Sequence, residues 1–280
     1  MGRVNNKRTC GACGQDSVKK DALENVGEIA SKLGTAYKFL FFDFDGTLSE
    51  LVNEPVDAVP VPGALEALNS AVLAENCRVT VISGRMLTDL KRYFPGSQLT
   101  LCGSHGAEIS GPGIEYRHEL KQEDEMEMSR LAALCKASFG SVQGFFLENK
   151  KYAIAAHYRM ADEKEGVKIE EWFDMLALQG LKSARLRKGK KVCEILPKNA
   201  AGKADAINMI AEKSGDKSGK PGILFAGDDA TDTEAFKILG SRAVLIFVGS
   251  GAPETADYVL EGPKNMVEFI SALALKLGRS

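Results

Sequence analysis

From Tyr37 onward the chain alternates short, uninterrupted apolar runs with longer stretches of mixed character. "YKFLFFDFD", "CRVTVISG", "QLTLCGS", "GILFAGDD" and "AVLIFVGS" are each closed by Gly, Ser or Asp. A strand whose sheet is covered by helices on both sides needs apolar residues on both of its own faces. Such runs therefore predict a mainly parallel, fully covered sheet. Between them, "PGALEALNSAVLAEN", "KADAINMIAEKSG" and "TEAFKILG" have the spacing of crossover helices. The expected fold class is α/β, with a doubly wound, mainly parallel sheet as its core.

The alternation breaks between residues 107 and 196. "AEISG" and "IEYRHEL" read there as paired strands, and the helical stretch after them puts Met128, Leu131, Leu134 and Cys135 on one face. "GFFLENKKYAIAAHYRM" predicts a hairpin that turns near 148–151. A second amphipathic helix carries Ile169, Trp172, Phe173 and Leu176 at i, i+3, i+4 and i+7, and "SARLRKGKKVCEIL" reads as a last hairpin. Helix followed by strand pair, twice over, predicts a smaller α+β cap inserted into the larger unit. The expected organisation is a polar leader over 1–35, flexible or part helical, with a short helix near 22–33. The first part of the core follows over 36–108, the inserted cap over 109–196, and the second part of the core over 197–280.

Composition narrows the partners. The 280 residues are 44% hydrophobic and 26% charged, with a formal net charge of −2. That is the profile of an ordinary globular protein, with no basic block to attract nucleic acid or an anionic membrane. No apolar run approaches the about 18 residues that span a bilayer, and the N-terminus shows no hydrophobic signal core. The expected location is cytoplasmic. Of the six cysteines only Cys10 and Cys13, in "CGAC", have metal or redox spacing. They lack a second ligand pair, so they read as thiols of the leader.

The chemistry lies at the ends of the apolar runs. Asp43 and Asp45 close the first one, and their i, i+2 spacing aims both to one side. "GDDATD" brings Asp228, Asp229 and Asp232 to the end of another. Either cluster alone is compatible with turn chemistry. Together they occupy the edge where a doubly wound sheet binds ligands, beyond the carboxyl ends of its strands. So many carboxylates in one place repel one another unless a cation lies among them, and hard oxygen donors suit Mg²⁺. "VISGR" ends a further strand with Ser83, whose hydroxyl and the neighbouring backbone N–H groups, at Gly84, suit phosphate oxygens. Lys203 opens a helix and can neutralise phosphate charge.

In this order DFDGT, Ser83 in SGR, Lys203 and GDDATD resemble the four motifs of the haloacid dehalogenase superfamily of phosphatases. The resemblance implies that Asp43 attacks phosphorus to form an aspartyl-phosphate. Asp45 would protonate the leaving alkoxide and then activate water. Mg²⁺ would be held by Asp43, the backbone carbonyl of Asp45 and Asp228, with Asp229 completing the acidic shell and orienting Lys203. Ser83, Gly84 and Lys203 would bind the phosphate.

"LSELVNEPVDAVP", "GSHGAE", "ENKKYAIAAHYR" and "GKKVCEILP" further resemble trehalose-6-phosphate phosphatases. In that family the insert is a lid that clasps the sugar. By matched position Arg85, His105, Glu108, Lys150, His157, Arg159 and Glu194 become substrate-binding residues, with the lid lysine at Lys190 or Lys191. There are two departures: Ala204 follows Lys203 where the family usually has Gly, and Thr233 stands where it usually has Glu. The implied activity is Mg²⁺-dependent hydrolysis of trehalose 6-phosphate. The rival readings are a phosphatase of sucrose phosphate or mannosylphosphoglycerate, and a non-catalytic sugar-phosphate sensor. The expected partner is a small-molecule sugar phosphate, and the resemblance raises a functional link to a separate trehalose-6-phosphate synthase. Outside the lysine match, 148–151 reads simply as a polar turn.

Overall fold

A computed structural model of the chain describes residues 19–34, 36–52, 57–189, 191–213 and 219–278. Cys10, Cys13 and Lys190 lie outside the described residues. The first half of the larger unit runs β1 (Lys20–Asp21), α1 (Val26–Leu33), β2 (Lys38–Asp43), α2 (Ala64–Val72), β3 (Cys77–Ile82), α3 (Leu87–Tyr93) and β4 (Thr100–Gly103). A hairpin of β5 (Glu108–Gly111) and β6 (Ile114–Arg117) follows. The smaller unit comprises α4 (Gln122–Phe139), β7 (Phe146–Asn149), β8 (Ile154–His157), α5 (Glu163–Gln179), β9 (Ala184–Gly189) and β10 (Val192–Pro197). The chain then returns through α6 (Lys203–Lys213), β11 (Gly222–Gly227), α7 (Ala230–Leu239), β12 (Val244–Val248), β13 (Tyr258–Leu260) and α8 (Pro263–Leu277).

The described strands form a nine-stranded sheet in the order β1-β13-β12-β11-β2-β3-β4-β5-β6 and a four-stranded sheet in the order β7-β8-β10-β9. In the large sheet all pairings from β1 to β4 are parallel, and β5 and β6 add an antiparallel edge. The central strand β2 explains the double covering. Leu40 and Phe42 enter a core packed by α1, α2, α3 and α8, whereas Phe39 and Phe41 enter one packed by α6 and α7. All of its six residues are buried, so hydrophobicity without alternation is what the position demands.

Two expectations change here. The hairpin "AEISG"–"IEYRHEL", expected within the insert from 109, is hydrogen-bonded to β4 and extends the large sheet. Its Ile109 and Ile114 pack with α6 and α7, which is why it stays with the core. The short helix expected near 22–33 is α1, whose Ile29 and Leu33 are buried, and the segment before it adds β1 at the sheet edge. Leu134, expected on the inner face of α4, is 44% exposed, while Met128, Leu131 and Cys135 are buried. No described helix is long and apolar enough to cross a membrane.

The smaller sheet is two-faced. Ile154, Ala156, Cys193 and Ile195 pack on α4 and α5, so the alternate residues of the same strands form an open face. A buried carboxylate reinforces this packing. Glu127 of α4 accepts the backbone N–H groups of Lys182, Ser183 and Ala184 and the Ser183 hydroxyl, stapling α4 to the start of β9. Burial alone would raise this carboxyl; the four donors outweigh it and hold it down at about 2.

A depressed carboxyl stabilises the fold above its ordinary value of 4.5 and loses that contribution as pH falls through about 2. Glu127→Gln should therefore lower unfolding stability by about 1–2 kcal/mol at pH 7. In denaturant titrations the gap to the parent should narrow steadily below pH about 4.5. A gap that widens on acidification would contradict this assignment.

Candidate active site

In the sheet β2 lies between β11 and β3, so three strand tips sit side by side. They deliver Asp43 from β2, Ser83 beyond β3 and Asp228 beyond β11. Lys203, at the start of α6, reaches into this group. Its Nζ donates to Asp43 Oδ1 at 2.6 Å and to Asp232 Oδ1 at 2.6 Å, and all three residues are nearly inaccessible to water. Burial opposes charge on Lys203, yet Asp232 and Asp43 outweigh it and hold the ammonium well above its ordinary range. Burial likewise pushes the Asp43 carboxyl up, aided by the nearby charges of Asp228, Asp229 and Asp45 and opposed by Lys203. Burial and the neighbouring Asp232 and Asp229 carry Asp228 to about 7.

Asp229 was expected to orient Lys203, and the structure gives that contact to Asp232. Asp229 is the N-cap of α7: its Oδ1 accepts the Asp232 N–H at 2.9 Å and the Thr231 hydroxyl at 2.8 Å. Asp232, three residues later, completes the capping box and turns inward. Its Oδ2 accepts the N–H groups of Asp228 and Asp229. A capping box places its first member at the helix mouth and its fourth within reach of the loop before it, which explains the exchange.

Asp43, Asp228 and Asp232 each offer a carboxylate oxygen within 4.8 Å of the others. Asp232 already accepts Lys203 and two N–H groups, which leaves Asp43 and Asp228 as the two of this trio that could hold a cation. The surrounding group holds five carboxylates (Asp43, Asp45, Asp228, Asp229, Asp232) against Lys203 and Arg85. This excess of hard, anionic oxygen suits Mg²⁺. The approach of Asp228 to the first motif depends on Gly46, whose φ is +82°; a Cβ there would collide with the Asp228 carboxylate.

Asp45 is gripped by Arg85, whose Nε and Nη2 donate to its carboxylate at 2.9 and 2.6 Å. Ser83 is buried. Its Oγ accepts the Arg85 N–H at 3.1 Å and stands 3.5 Å from Asp45 Oδ2. The loop after β4 is tied to this turn, with Ser104 N donating to Arg85 O and His105 N to Ser83 O. Ser104 and His105 both take left-handed backbone, φ 51° and 56°, which non-glycine residues rarely adopt. The result is that the His105 ring lies against Gly84, where a Cβ would come 2.5 Å from Nε2.

The smaller sheet turns its open face to this cleft. Glu194 Oε2 lies 3.5 Å from His105 Nε2, 3.6 Å from Arg187 and, through Oε1, 3.1 Å from Lys150. Burial would raise Glu194, but these neighbours outweigh it and keep it ionised; burial lowers His105 to about 4, so its ring is neutral at pH 7. His157 meets Glu148 at 2.9 Å, and Arg159 donates to the Val52 carbonyl at 3.1 Å. Glu108 accepts from the Leu87 N–H and lies 3.7 Å from Lys151. His105, Arg187 and Lys203 share a cavity of about 180 Å³ between the two units.

Lys191 does not join this group. It has a left-handed backbone and sends Nζ to Glu170 on α5, 3.4 Å away. Sequence reasoning also missed Glu148, read as a turn residue. It stands directly opposite Ala155, as Glu194 does, so alternation from Glu194 was the available signal.

Comparison with known proteins places the chain. The family profile described as Trehalose-phosphatase matches residues 41–262. The chain belongs to the trehalose-phosphatase family. It is 32% identical over 264 residues to a trehalose-phosphate phosphatase of Mycobacterium ulcerans (strain Agy99), an alignment covering 92% of this chain and 66% of that protein. The chain thus spans just under two thirds of that relative. Its fold resembles the C-terminal domain of a Candida albicans trehalose-6-phosphate phosphatase, with a TM-score of 0.75, 20% identity, and coverage of 93% and 99% of the two chains. An Aspergillus fumigatus trehalose-6-phosphate phosphatase gives a TM-score of 0.63 at 25% identity, covering 90% of this chain and 97% of that one. The fold is also similar to that of a haloacid dehalogenase-like hydrolase from B. subtilis, with a TM-score of 0.61, 14% identity, and coverage of 84% and 98% of the two chains.

Gly46→Ala should weaken Mg²⁺ binding, measured by calorimetry, by about tenfold or more, because the added Cβ displaces Asp228. Gly96→Ala is the control: φ is +64° there, but no atom lies within 4 Å of the added Cβ. It should cost about 1 kcal/mol of stability and leave Mg²⁺ binding intact. Equal loss of Mg²⁺ binding in both variants would show that backbone strain, not Asp228, is responsible.

Proposed function

We propose that the chain is a Mg²⁺-dependent phosphatase that hydrolyses trehalose 6-phosphate to trehalose and inorganic phosphate through an aspartyl-phosphate on Asp43. The observation that carries this reading is the pairing of two carboxylates at one strand tip, Asp43 held by Lys203 and Asp45 held by Arg85, beneath a polar cap sheet. A relative similar over nearly the whole chain is called a trehalose-phosphate phosphatase, which supports the choice of substrate.

In the first step an Asp43 oxygen bonds to phosphorus as the bond from phosphorus to the sugar oxygen breaks, and Asp45 gives its proton to that oxygen. In the second, Asp45 takes a proton from water, the water oxygen bonds to phosphorus, and the Asp43–phosphorus bond breaks. Phosphate leaves and Asp43 is restored. Lys203 neutralises charge beside the nucleophile throughout, and Ser83 with the backbone N–H of Gly84 holds phosphate oxygens. The substrate phosphate competes with Asp45 for Arg85; freed of the guanidinium, Asp45 takes up a proton from solvent before the first step, and the second step returns it to that acid form. Mg²⁺ would be held by Asp43, Asp228 and the backbone carbonyl of Asp45, and supplies positive charge to the phosphoryl oxygens. Glu194, Lys150, Glu148 and His157 clasp the sugar from the cap. A separate enzyme that joins two sugars and leaves a phosphate on one would supply the substrate.

Phosphate release from a panel of sugar phosphates with Mg²⁺ tests the reading. Trehalose 6-phosphate should be preferred over sucrose phosphate and mannosylphosphoglycerate. Asp43→Asn should lose about 10³-fold or more of the turnover. Asp45→Asn should still give a burst with p-nitrophenyl phosphate, whose leaving group needs no acid, and then stall as phosphoenzyme. Preference for another sugar phosphate would keep the chemistry and discard the substrate; tight binding without turnover would favour the sensor.

A further inference from the structure

The open face of the cap sheet is built in rows. Glu148, Ala155, Glu194 and Arg187 stand opposite one another across the four strands. Phe146, His157, Val192 and Gly189 form the next row on the same face, two residues along. The residues between them, Ala156 and Cys193, point into the helix-covered core. The first row meets the reaction centre, since Glu194 touches His105 and His105 lies on Gly84 beside Ser83. The second row is displaced from the first by about 7 Å along the strands. Phe146, on β7, lies two strand spacings of about 4.8 Å each to the side of Glu194 on β10, within the span of a disaccharide phosphate.

That second row is apolar where the first is charged. The Phe146 ring lies 4.5 Å from the His157 ring with their planes 9° apart, and Phe146 remains 47% exposed. His157 is fixed in turn by Glu148. Val192 and the side-chain-free Gly189 leave the rest of the row shallow. This row also lies at the joint between the two units: Arg159, two residues beyond His157, donates to Val52 of the core loop. The adjoining Leu51 is 71% exposed. A pyranose ring offers an apolar C–H face that suits the negative face of an aromatic ring, while its hydroxyls seek charged partners such as those of the first row.

We propose that Phe146, backed by His157, is the platform for the second, unphosphorylated ring of the substrate, and so determines preference for a disaccharide phosphate. This rests on the sugar-phosphate reading above. A ring pair across two strands can also serve stability alone, so the test separates the two roles. For Phe146→Ala, KM for trehalose 6-phosphate should rise about threefold to tenfold with kcat within about twofold, while both parameters for glucose 6-phosphate stay unchanged. Phe146→Trp should keep the preference and add a reporter, because Trp172 is the chain's only tryptophan. Its emission should change with trehalose and not with inorganic phosphate.

Equal effects of Phe146→Ala on both substrates, or a silent indole under conditions where calorimetry detects trehalose binding, would overturn the platform. The parent enzyme's own panel keeps the two readings apart. If it prefers another disaccharide phosphate, the assignment to trehalose falls, and the same ratio measured on that substrate decides Phe146. If it prefers monosaccharide phosphates, the platform falls too.

Discussion

The Lys203 ammonium, buried between Asp43 and Asp232, is the interaction on which the rest of the site hangs. Two carboxylates cannot share a dry strand tip without a counter-charge, and an unpaired ammonium cannot be buried there either. Each makes the other tenable. The arrangement also fixes relative positions. Asp43 belongs to the central strand, Asp232 to the first turn of α7 and Lys203 to the first turn of α6, so the triad ties together segments far apart in sequence. A buried pair of this kind contributes little net stability compared with apolar packing, but it strongly penalises any arrangement that separates its members. Its value lies in specifying where Asp43 sits.

Around this centre the chain repeatedly brings groups into closer approach than ordinary side chains tolerate. Gly46 admits the Asp228 carboxylate, Gly84 admits the His105 ring, and His105 itself takes left-handed backbone. These positions lie on the loops after the strands, where the sheet supplies rigid support but imposes no repeating geometry. The conformational cost is small compared with the ladders that hold the strand ends, which is why such strain can persist there.

The cap completes the site through one face of a small antiparallel sheet. Its helix-covered face is apolar and makes the cap a stable unit; its other face carries Glu194, Lys150, Glu148 and His157 toward the core. Glu194 binds cap groups and touches His105 of the core, so the open face of the cap and the strand-tip cluster are joined by a contact between ionised and neutral partners. In the proposed reaction a substrate that spans both units would exchange these contacts for its own hydroxyls and phosphate, coupling recognition to closure.

Much of this was legible in the chain. Unbroken apolar runs ending in Asp, Ser or Gly identify the central strands and their functional tips, because a strand covered on both faces has no polar side to show. The order of the motifs then points to Asp43, Asp45, Ser83 and Lys203. Other features depended on contacts remote in sequence. Short alternating strands carry no mark of which sheet they join; the packing of Ile109 and Ile114 beneath α6 and α7 is what assigns β5 and β6 to the core. Asp229 and Asp232 look alike as residues; the helix start decides which caps and which turns inward to Lys203. Lys191 shares its dipeptide with Lys190, and its left-handed backbone alone directs it to Glu170. Local pattern determines what a segment can become, because burial on a strand or helix repeats with a fixed period. Which groups finally meet is decided by packing between segments, where a single residue's rotation exchanges one partner for another.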